Sequence, residues 1–526
     1  MPGECIPYWQ IPGASRLVRD FLYSFDRVAR FYRYDPCDRE AVFRRLENMQ
    51  YPTDRRARLV EVLRVQNPGC EAVERLAEPS TVAVVTGQQV GLLTGPAYTF
   101  YKALTAMRVA EELSAMGVPA VPIFWMATED HDYSEVTECW VFDGQGRPVR
   151  IEAGWCEGAG SRSVGQLLLP DWSLDAAKEA WREAPHGGEA LELATGAYRP
   201  GRPWAAAFAQ LLGNLVGPGR LLFFDPLEKE AREFLAPALA RAAEQAGVLS
   251  SAVRERTAEL ERSGYEAQVR VGAEANLFFI VADGRRVRAR LRDGVLEWNG
   301  LRLEGPSLAA NAKYLSAAAL LRPVVQDWAF PAAVSVVGPA EIAYLGQASA
   351  LYEVLGVGVP VWRLRASCTL VDKVAAEVLE RYGLGLRDFF GSEQALQEAV
   401  GARLRPAVMV EALEESVAGV VASLDRIAGA LEGWRGPVKR AFEKSRAKIL
   451  YQLGKIQRGV AREALRRDRR AMGELQWLRD QLYPRRRLQE RVYSIMAFVA
   501  RYGTDLGSAL WERVAWDCRG HQTVVL

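Results

Sequence analysis

Residues 81–127 restrict the fold more than any other stretch. "TVAVVTG" (81–87) is a short apolar run stopped by glycine and reads as a buried strand. After the loop "QQVGLLTG", Pro96 stands as a first helical residue, opening a helix that runs to about Met116. "VPAVPIFWMA" (118–127) is a second apolar strand and ends at the polar cluster "TEDHD". Two buried strands joined through a glycine loop and one helix make a βαβ unit, which requires a parallel sheet with right-handed crossovers. An α/β fold is therefore expected. The runs "GRLLFFD" (219–225), "AAVSVVG" (332–338) and "VPVWRL" (359–364) supply further strands.

Residues 137–170 and 266–304 have a different pattern, short alternating segments broken by Asp-Gly turns, which is the signature of antiparallel hairpins. They are expected as insertions near 137–200 and 250–320 of a core spanning 81–375. Residues 1–80 are helical in pattern and should pack on that core. From about Lys373 the chain turns helical, giving a C-terminal helical domain over 376–526. There Val410, Leu413, Val417, Val420, Leu424, Ile427 and Leu431 recur at spacings of three and four. Ile449, Leu453, Ile456 and Val460 repeat the stripe beyond the "GWRGP" turn. Two helices packed as an antiparallel coiled coil over about 408–482 explain both stripes.

Composition matters mainly through its distribution. The formal charge of +2 is a cancellation, because residues 438–501 alone carry a net +12 and the remainder −10. That arginine-rich stretch suits a solvated coiled-coil face or an anion-binding surface, and the overall charge does not call for nucleic acid as a partner. No apolar run is long enough to span a membrane, and the N-terminus has no basic-then-apolar signal pattern, so a cytoplasmic protein is expected. Seven scattered cysteines without a CxxC pair argue against a disulfide framework or a local zinc site. Only nine Lys and three His are present, so either residue inside a motif is informative.

Four constellations could carry chemistry. In Thr86–Ala103, a glycine-rich loop meets a helix N-terminus and offers backbone N–H groups to an anion. Gln88, Gln89, Thr94, Gly95, Tyr98 and Thr99 add neutral groups, and Lys102 lies just over one turn into the helix. A tight βα turn with a surface lysine would leave the same pattern. Glu129, Asp130, His131 and Asp132 stand at the carboxyl end of a parallel strand, where open α/β sheets bind ligands. They suit a general base, an amine site or a hard-metal site, provided a cation offsets their mutual repulsion. Helix-capping acids beside a solvated histidine are the structural alternative. "VVGPAEIAYLGQ" (336–347) brings Gly338, Glu341 and Tyr344 to a second strand-to-helix turn, and Asp327 is a further carboxylate on the same expected edge. "RLRASCTLVDK" (363–373) places Arg365, Ser367 and Thr369 in a polar loop able to clamp a phosphate, with Cys368 a packing residue. His521, in the tail "HQTVVL", reads as a structural group fixing the terminus.

Taken in order, "VVTGQQVGLLTGPAYTFYKA", "VPIFWMATEDHDYSEV", "LLFFDP", "GYEAQV", "LLRPVVQDW", "VVGPAEIAYLGQ", "RASCTLV" and "LQERV" resemble the bacillithiol biosynthesis cysteine-adding enzymes over essentially the whole chain. That resemblance implies a Rossmann-like core similar to class I aminoacyl-tRNA synthetases, connecting-peptide insertions and a C-terminal coiled coil that forms a homodimer. It implies a ligase that adds L-cysteine to the amine of glucosaminyl malate. Such a step needs an activated carboxylate, so ATP with Mg is the expected co-substrate, and no other metal is expected. On this reading Asp130, His131, Lys102, Glu129 and Asp132 are catalytic. Gln88, Gln89, Thr94, Gly95, Tyr98, Asp327, Gly338, Glu341 and Tyr344 hold substrates, and Arg365, Ser367 and Thr369 hold the nucleotide. The chain lacks the synthetases' HxGH and KMSK motifs, so a copied adenylation mechanism does not follow. Another ATP-dependent nucleotidyl-transfer ligase, or an RNA-binding or scaffolding protein using the basic coiled coil, are the alternatives.

Overall fold

The computed structural model describes residues 3–172, 174–271, 277–282, 284–292, 295–298 and 301–526. The expected glycine-to-alternating stretch at 266–304 therefore falls partly outside the described residues. The chain divides into two compact units, one of residues 5–368 and 490–522, the other of residues 369–489 with the two chain ends. Residues 490–522, grouped in sequence with the C-terminal helices, lie in the first unit.

The first unit is built on a five-stranded sheet: β1 (Val82–Gln88), β2 (Ala120–Met126), β3 (Leu222–Phe224), β4 (Ala332–Val337) and β5 (Val361–Leu364). Its spatial order is β5-β4-β1-β2-β3, and every neighbouring pair is parallel. α1 (Tyr98–Ala115) makes the β1–β2 crossover and α2 (Pro339–Leu355) the β4–β5 crossover. The sheet is α/β and Rossmann-like, as the βαβ signal requires. Its strands are apolar on both faces because helices cover both. Val82 and Val84 of β1, Val334 and Val336 of β4 and Val361 of β5 pack with Ala106, Val109, Ala110 and Leu113 of α1.

The order of connection reverses beside β1: the chain moves from β1 to β2 and β3 on one side, then returns to β4 and β5 on the other. The two loops leaving β1 and β4 consequently diverge and open a crevice at the carboxyl ends of the strands. Close strand pairing accounts for one glycine there. A Cβ on Gly87 would lie 2.7 Å from the carbonyl oxygen of Trp125 on β2. Beyond β1, Leu93, Thr94 and Gly95 take φ of 49°, 70° and 67° in succession, so two non-glycine residues hold left-handed backbone in this loop.

Hairpins Glu138–Phe142 with Pro148–Glu152, and Phe278–Ala282 with Arg285–Arg288, occur where alternation predicts them. The chain ends provide a correction. Cys5 and Cys518 form a disulfide across 513 residues, with the other five cysteines free. Antiparallel pairing of Cys5–Pro7 with Gly520–Gln522 brings the two together, which no cysteine spacing could show.

In the second unit, helices α3 (Glu393–Arg403), α4 (Ala407–Ala430), α5 (Pro437–Arg467) and α6 (Arg469–Leu482) follow one another. α4 and α5 form the arms of the expected hairpin, tied by an Asp425–Arg446 ion pair. α5 also packs closely on α3, where a Cβ on Gly401 would collide with the Ala461 carbonyl. Along the coiled-coil stripes only Leu424 is buried, while Ile427, Ile449 and Ile456 are 49%, 41% and 55% exposed. Among the described residues, no helix is long and apolar enough to cross a membrane.

Candidate functional site

A cavity of about 1140 Å³ occupies the crevice. The β1 loop contributes Gln88, Gln89, Tyr98 and Lys102 to its wall. Glu129, Asp130, His131 and Asp132 come from the end of β2, and Gly338, Glu341 and Tyr344 from the β4 turn. Arg365 enters from the end of β5. Four segments spread along the chain from Gln88 to Arg365 thus meet because each leaves the carboxyl end of a strand of one parallel sheet.

One end of the cavity is cationic. Lys102, on the inner face of α1, is 2% exposed. Its Nζ donates to the Gly87 carbonyl (2.7 Å) and Gln88 Oε1 (3.0 Å) and pairs with Glu341. Glu341 Oε2 also accepts the Gly338 N–H at 2.7 Å, closing the turn into α2. Burial pulls the Lys102 ammonium below its ordinary range, and Arg365 and Arg322 act in the same direction against Glu341. Burial would push the Glu341 carboxyl up, but Lys102 and Arg322 outweigh it and keep it low, so it stays ionised. Arg322 donates to Tyr344 Oη (2.9 Å) and Gln326 Oε1 (3.0 Å). Burial takes the Tyr344 phenol up to about 12.

The other end is anionic. Asp130 accepts from Gln89 Nε2 (2.8 Å) and from the His131 N–H (2.8 Å). Glu129 pairs with Arg232 at 3.4 Å. Arg286, from the second hairpin, stands 3.6 Å from Asp130 Oδ1 and 3.4 Å from His131 Nδ1. A guanidinium only donates, so in the contact with Arg286 it is His131 Nδ1 that accepts; the same nitrogen lies 3.7 Å from Asp130 Oδ1. Arg232 and Arg286 supply the cations that the carboxylate cluster requires. Among the described residues, no group of three or more His, Cys, Asp or Glu could hold a metal ion.

Behind Arg365 lies a buried relay. Arg365 is held by Glu490 through two bonds, 2.6 and 3.0 Å, a fork geometry that fixes both partners. Ser367 Oγ donates to Glu490 Oε1 (2.8 Å) and lies 2.7 Å from His521 Nδ1. With the hydroxyl proton spent on Glu490, His521 must donate its Nδ1–H. Burial holds the His521 pKa down to about 4, with Glu490 opposing. His521 thus ties down the chain end, as its isolated position in sequence implied. Cys368 donates its backbone N–H to Glu490 (2.9 Å), and burial raises its thiol far above the usual range.

Several residues singled out in sequence do not line the cavity. Thr94 and Gly95 shape the loop backbone instead. Asp327 turns away from the crevice and accepts from Gln326 (3.1 Å), Ser335 (3.2 Å) and Tyr352 (2.5 Å), and burial raises its carboxyl to about 6. Ser367 supports Arg365 from behind, and Thr369 is absent from the cavity wall. Arg286, Arg322, Arg491 and Trp155 do line it and were not foreseen. "LLRPVVQDW" and "LQERV" did hold Arg322, Glu490 and Arg491, but only as unexplained motifs.

Residues 1–366 match the family described as bacillithiol biosynthesis BshC, N-terminal Rossmann-like domain, and residues 368–523 match its C-terminal coiled-coil domain. Curated relatives named "Putative cysteine ligase BshC" include one from Solibacter usitatus (strain Ellin6076), 38% identical with both chains covered in full. One from Koribacter versatilis (strain Ellin345) is 31% identical, again over the whole of both chains. A third, from Salinibacter ruber (strain DSM 13855 / M31), is 30% identical over 97% of this chain and 96% of its own. With a parallel-sheet unit and a helical unit matched in order from end to end, the chain belongs to the BshC family of bacillithiol biosynthesis.

Proposed function

We propose that this chain is a cytoplasmic ligase that joins L-cysteine to the amine of glucosaminyl malate through an amide bond, the last step in making bacillithiol. The observation that carries this reading is the split polarity of the cavity, with Lys102, Arg322 and Arg365 at one end and Glu129, Asp130 and Asp132 at the other. Glucosaminyl malate has matching halves, a dicarboxylate and an ammonium, and a cavity of about 1140 Å³ has room for cysteine beside it. Activating the cysteine carboxylate requires ATP with Mg as co-substrate, since a free carboxylate does not acylate an amine. Asp130 then takes a proton from the glucosamine ammonium, and the free amine attacks the activated cysteine carboxyl, forming the C–N bond as the activating phosphate or nucleotide leaves. Arg286 stands beside both groups, but a carboxylate has two oxygens and about four lone pairs to accept with, whereas His131 turns one of its two ring nitrogens to Arg286, so Asp130 suits this better. The exposed Ile427, Ile449 and Ile456 favour a homodimer through the α4–α5 hairpin, where a second copy would cover them.

The test is reconstitution with cysteine, glucosaminyl malate and ATP–Mg, followed by thiol labelling. The wild-type chain should form bacillithiol, and the Asp130→Asn, His131→Asn double variant should form none while remaining folded. Full turnover by the double variant would remove the assignment of the base, and no product from the wild type would remove the reaction.

A further inference from the structure

A second cavity, of about 440 Å³, opens at the opposite edge of the sheet. Its walls come from residues 29–34, from Arg45 and Asn48 at the end of helix Ala41–Glu47, from the C-terminal end of α2 and from residues 356–359 leading into β5. Arg45 fixes its place in the fold, because Nε donates to the carbonyl of Ala332 (3.2 Å), the first residue of β4. β4 and β5 therefore begin at this cavity and end at the first one, through Gly338 and Arg365. Six strand residues separate the two by roughly 20 Å.

Arg45 is 6% exposed. Beyond the bond from Nε, its terminal nitrogens make no hydrogen bond or ion pair with any described residue. The nearest buried carboxyl, Asp327, acts on it only through space and spends its oxygens on Gln326, Ser335 and Tyr352. The side chain is thus held in place by the protein while its terminal N–H groups reach solvent at the cavity wall, where an acceptor from outside the chain can take them. The backbone makes room for it as well. A Cβ on Gly358 would sit 2.7 Å from Arg45 Nη1. Arg30, Arg33 and Arg256 share the wall; Glu353, 71% exposed, stands 3.4 Å from Arg256, and Glu259 pairs with Arg256 (3.4 Å) and Arg30 (3.7 Å), so among the described residues the cations left without a carboxylate are Arg33 and Arg45. Arg256 also donates to Ser349 Oγ at 2.5 Å, which holds it against the wall.

The geometry points to a second ligand site here, for a small molecule carrying a phosphate, whose oxygens take the two terminal nitrogens of Arg45 while the exposed Arg33 closes over it and Arg256 lines the wall. A planar guanidinium presents two parallel N–H groups to such an oxyanion, and a lysine in its place would not. The site stands whichever reaction the first cavity runs.

Isothermal titration of the full chain with inorganic phosphate, at an ionic strength of about 0.1 M where charges 20 Å apart are screened, tests this. Arg33→Glu changes an exposed side chain and leaves the fold intact, and it should weaken phosphate binding at least tenfold. Lys102→Gln, in the first cavity, should leave that binding unchanged. Arg45→Lys, which keeps the charge and loses the fork, should also weaken it at least tenfold. An Arg33→Glu chain that binds phosphate as the wild type does, or a wild type that shows no binding at millimolar phosphate, overturns the proposal.

Discussion

Replacing His521 by Asn probes whether a neutral imidazole holds the relay behind Arg365. In the folded chain, burial keeps His521 unprotonated down to about pH 4, against 6.5 for an exposed histidine. Between those values the unfolded chain carries a proton that the folded chain does not. Each step down in pH within that window therefore favours unfolding, whereas above about pH 6.5 the group contributes no slope. A displacement of about 2.5 pKa units corresponds to roughly 3 kcal/mol. Asn keeps an N–H donor for Ser367 Oγ and does not titrate. His521→Asn should cost about 1–2 kcal/mol at pH 7.5, for an imperfect replacement of a buried hydrogen bond. The wild type should then lose about 3 kcal/mol relative to the variant as pH falls from 7.5 to 4, and the order of stabilities should invert. Asp225 and Asp327, raised by burial to about 6, have the opposite sign, adding stability at low pH that is lost as pH rises through 6. Both chains carry them, so they cancel in the difference. Urea unfolding followed by tryptophan fluorescence, at pH values from 4 to 7.5, measures it. A difference that stays constant across that range would refute the neutral-imidazole relay.

Lys102→Gln leaves the partly buried Glu341 with only Arg322 and the Gly338 N–H. It should lower stability by about 2 kcal/mol in urea unfolding and cut product formation at least a hundredfold. Gly87→Ala drives a methyl group into the Trp125 carbonyl, so the β1–β2 pair must part locally, and a loss of about 2 kcal/mol is expected by the same assay. Alkylation of the denatured chain, counted by intact mass, should add five groups without reductant and seven with it, since Cys5 and Cys518 are joined.

What could be read from the sequence followed its local rules. β1, α1 and β2 were legible because strand, glycine, proline and helix signals fall within one short segment, and the scarcity of lysine drew attention to Lys102. The carboxylates at 129–132 were legible because a parallel strand must deliver its last residues to the ligand edge. Their cations were not. Arg286 comes from an inserted hairpin and Arg232 from a helix beyond β3, and no periodicity links either to Glu129 or Asp130. Asp327 misled for a definite reason. Position near the ligand edge does not determine which way a side chain faces, and Ser335 and Tyr352 offer a buried carboxyl two donors on the inner side. The heptad stripes announced α4 and α5, but periodicity records that a face is apolar and not what covers it.

The hydrogen-bond inventory of the cationic end narrows how an anion could be held there. An ammonium has three donors, and Lys102 spends its own on Gly87, Gln88 and Glu341. Arg365 turns both terminal nitrogens to Glu490, and Arg322 turns its own to Gln326 and Tyr344. At Lys102 an incoming carboxylate or phosphate therefore meets an ammonium that is already engaged and must displace an acceptor. The Gly87 carbonyl belongs to a paired strand, and Glu341 is pinned by the turn it closes, so neither yields cheaply. Gln88 is different: it is neutral, its remaining contact is a 3.4 Å approach to Tyr98, and its amide can rotate away. Exchanging a neutral acceptor for an anionic one strengthens the bond to Lys102. Lys102 is thus placed so that a single side-chain rotation, at Gln88, exposes one of its donors to an anion while its pair with Glu341 is kept.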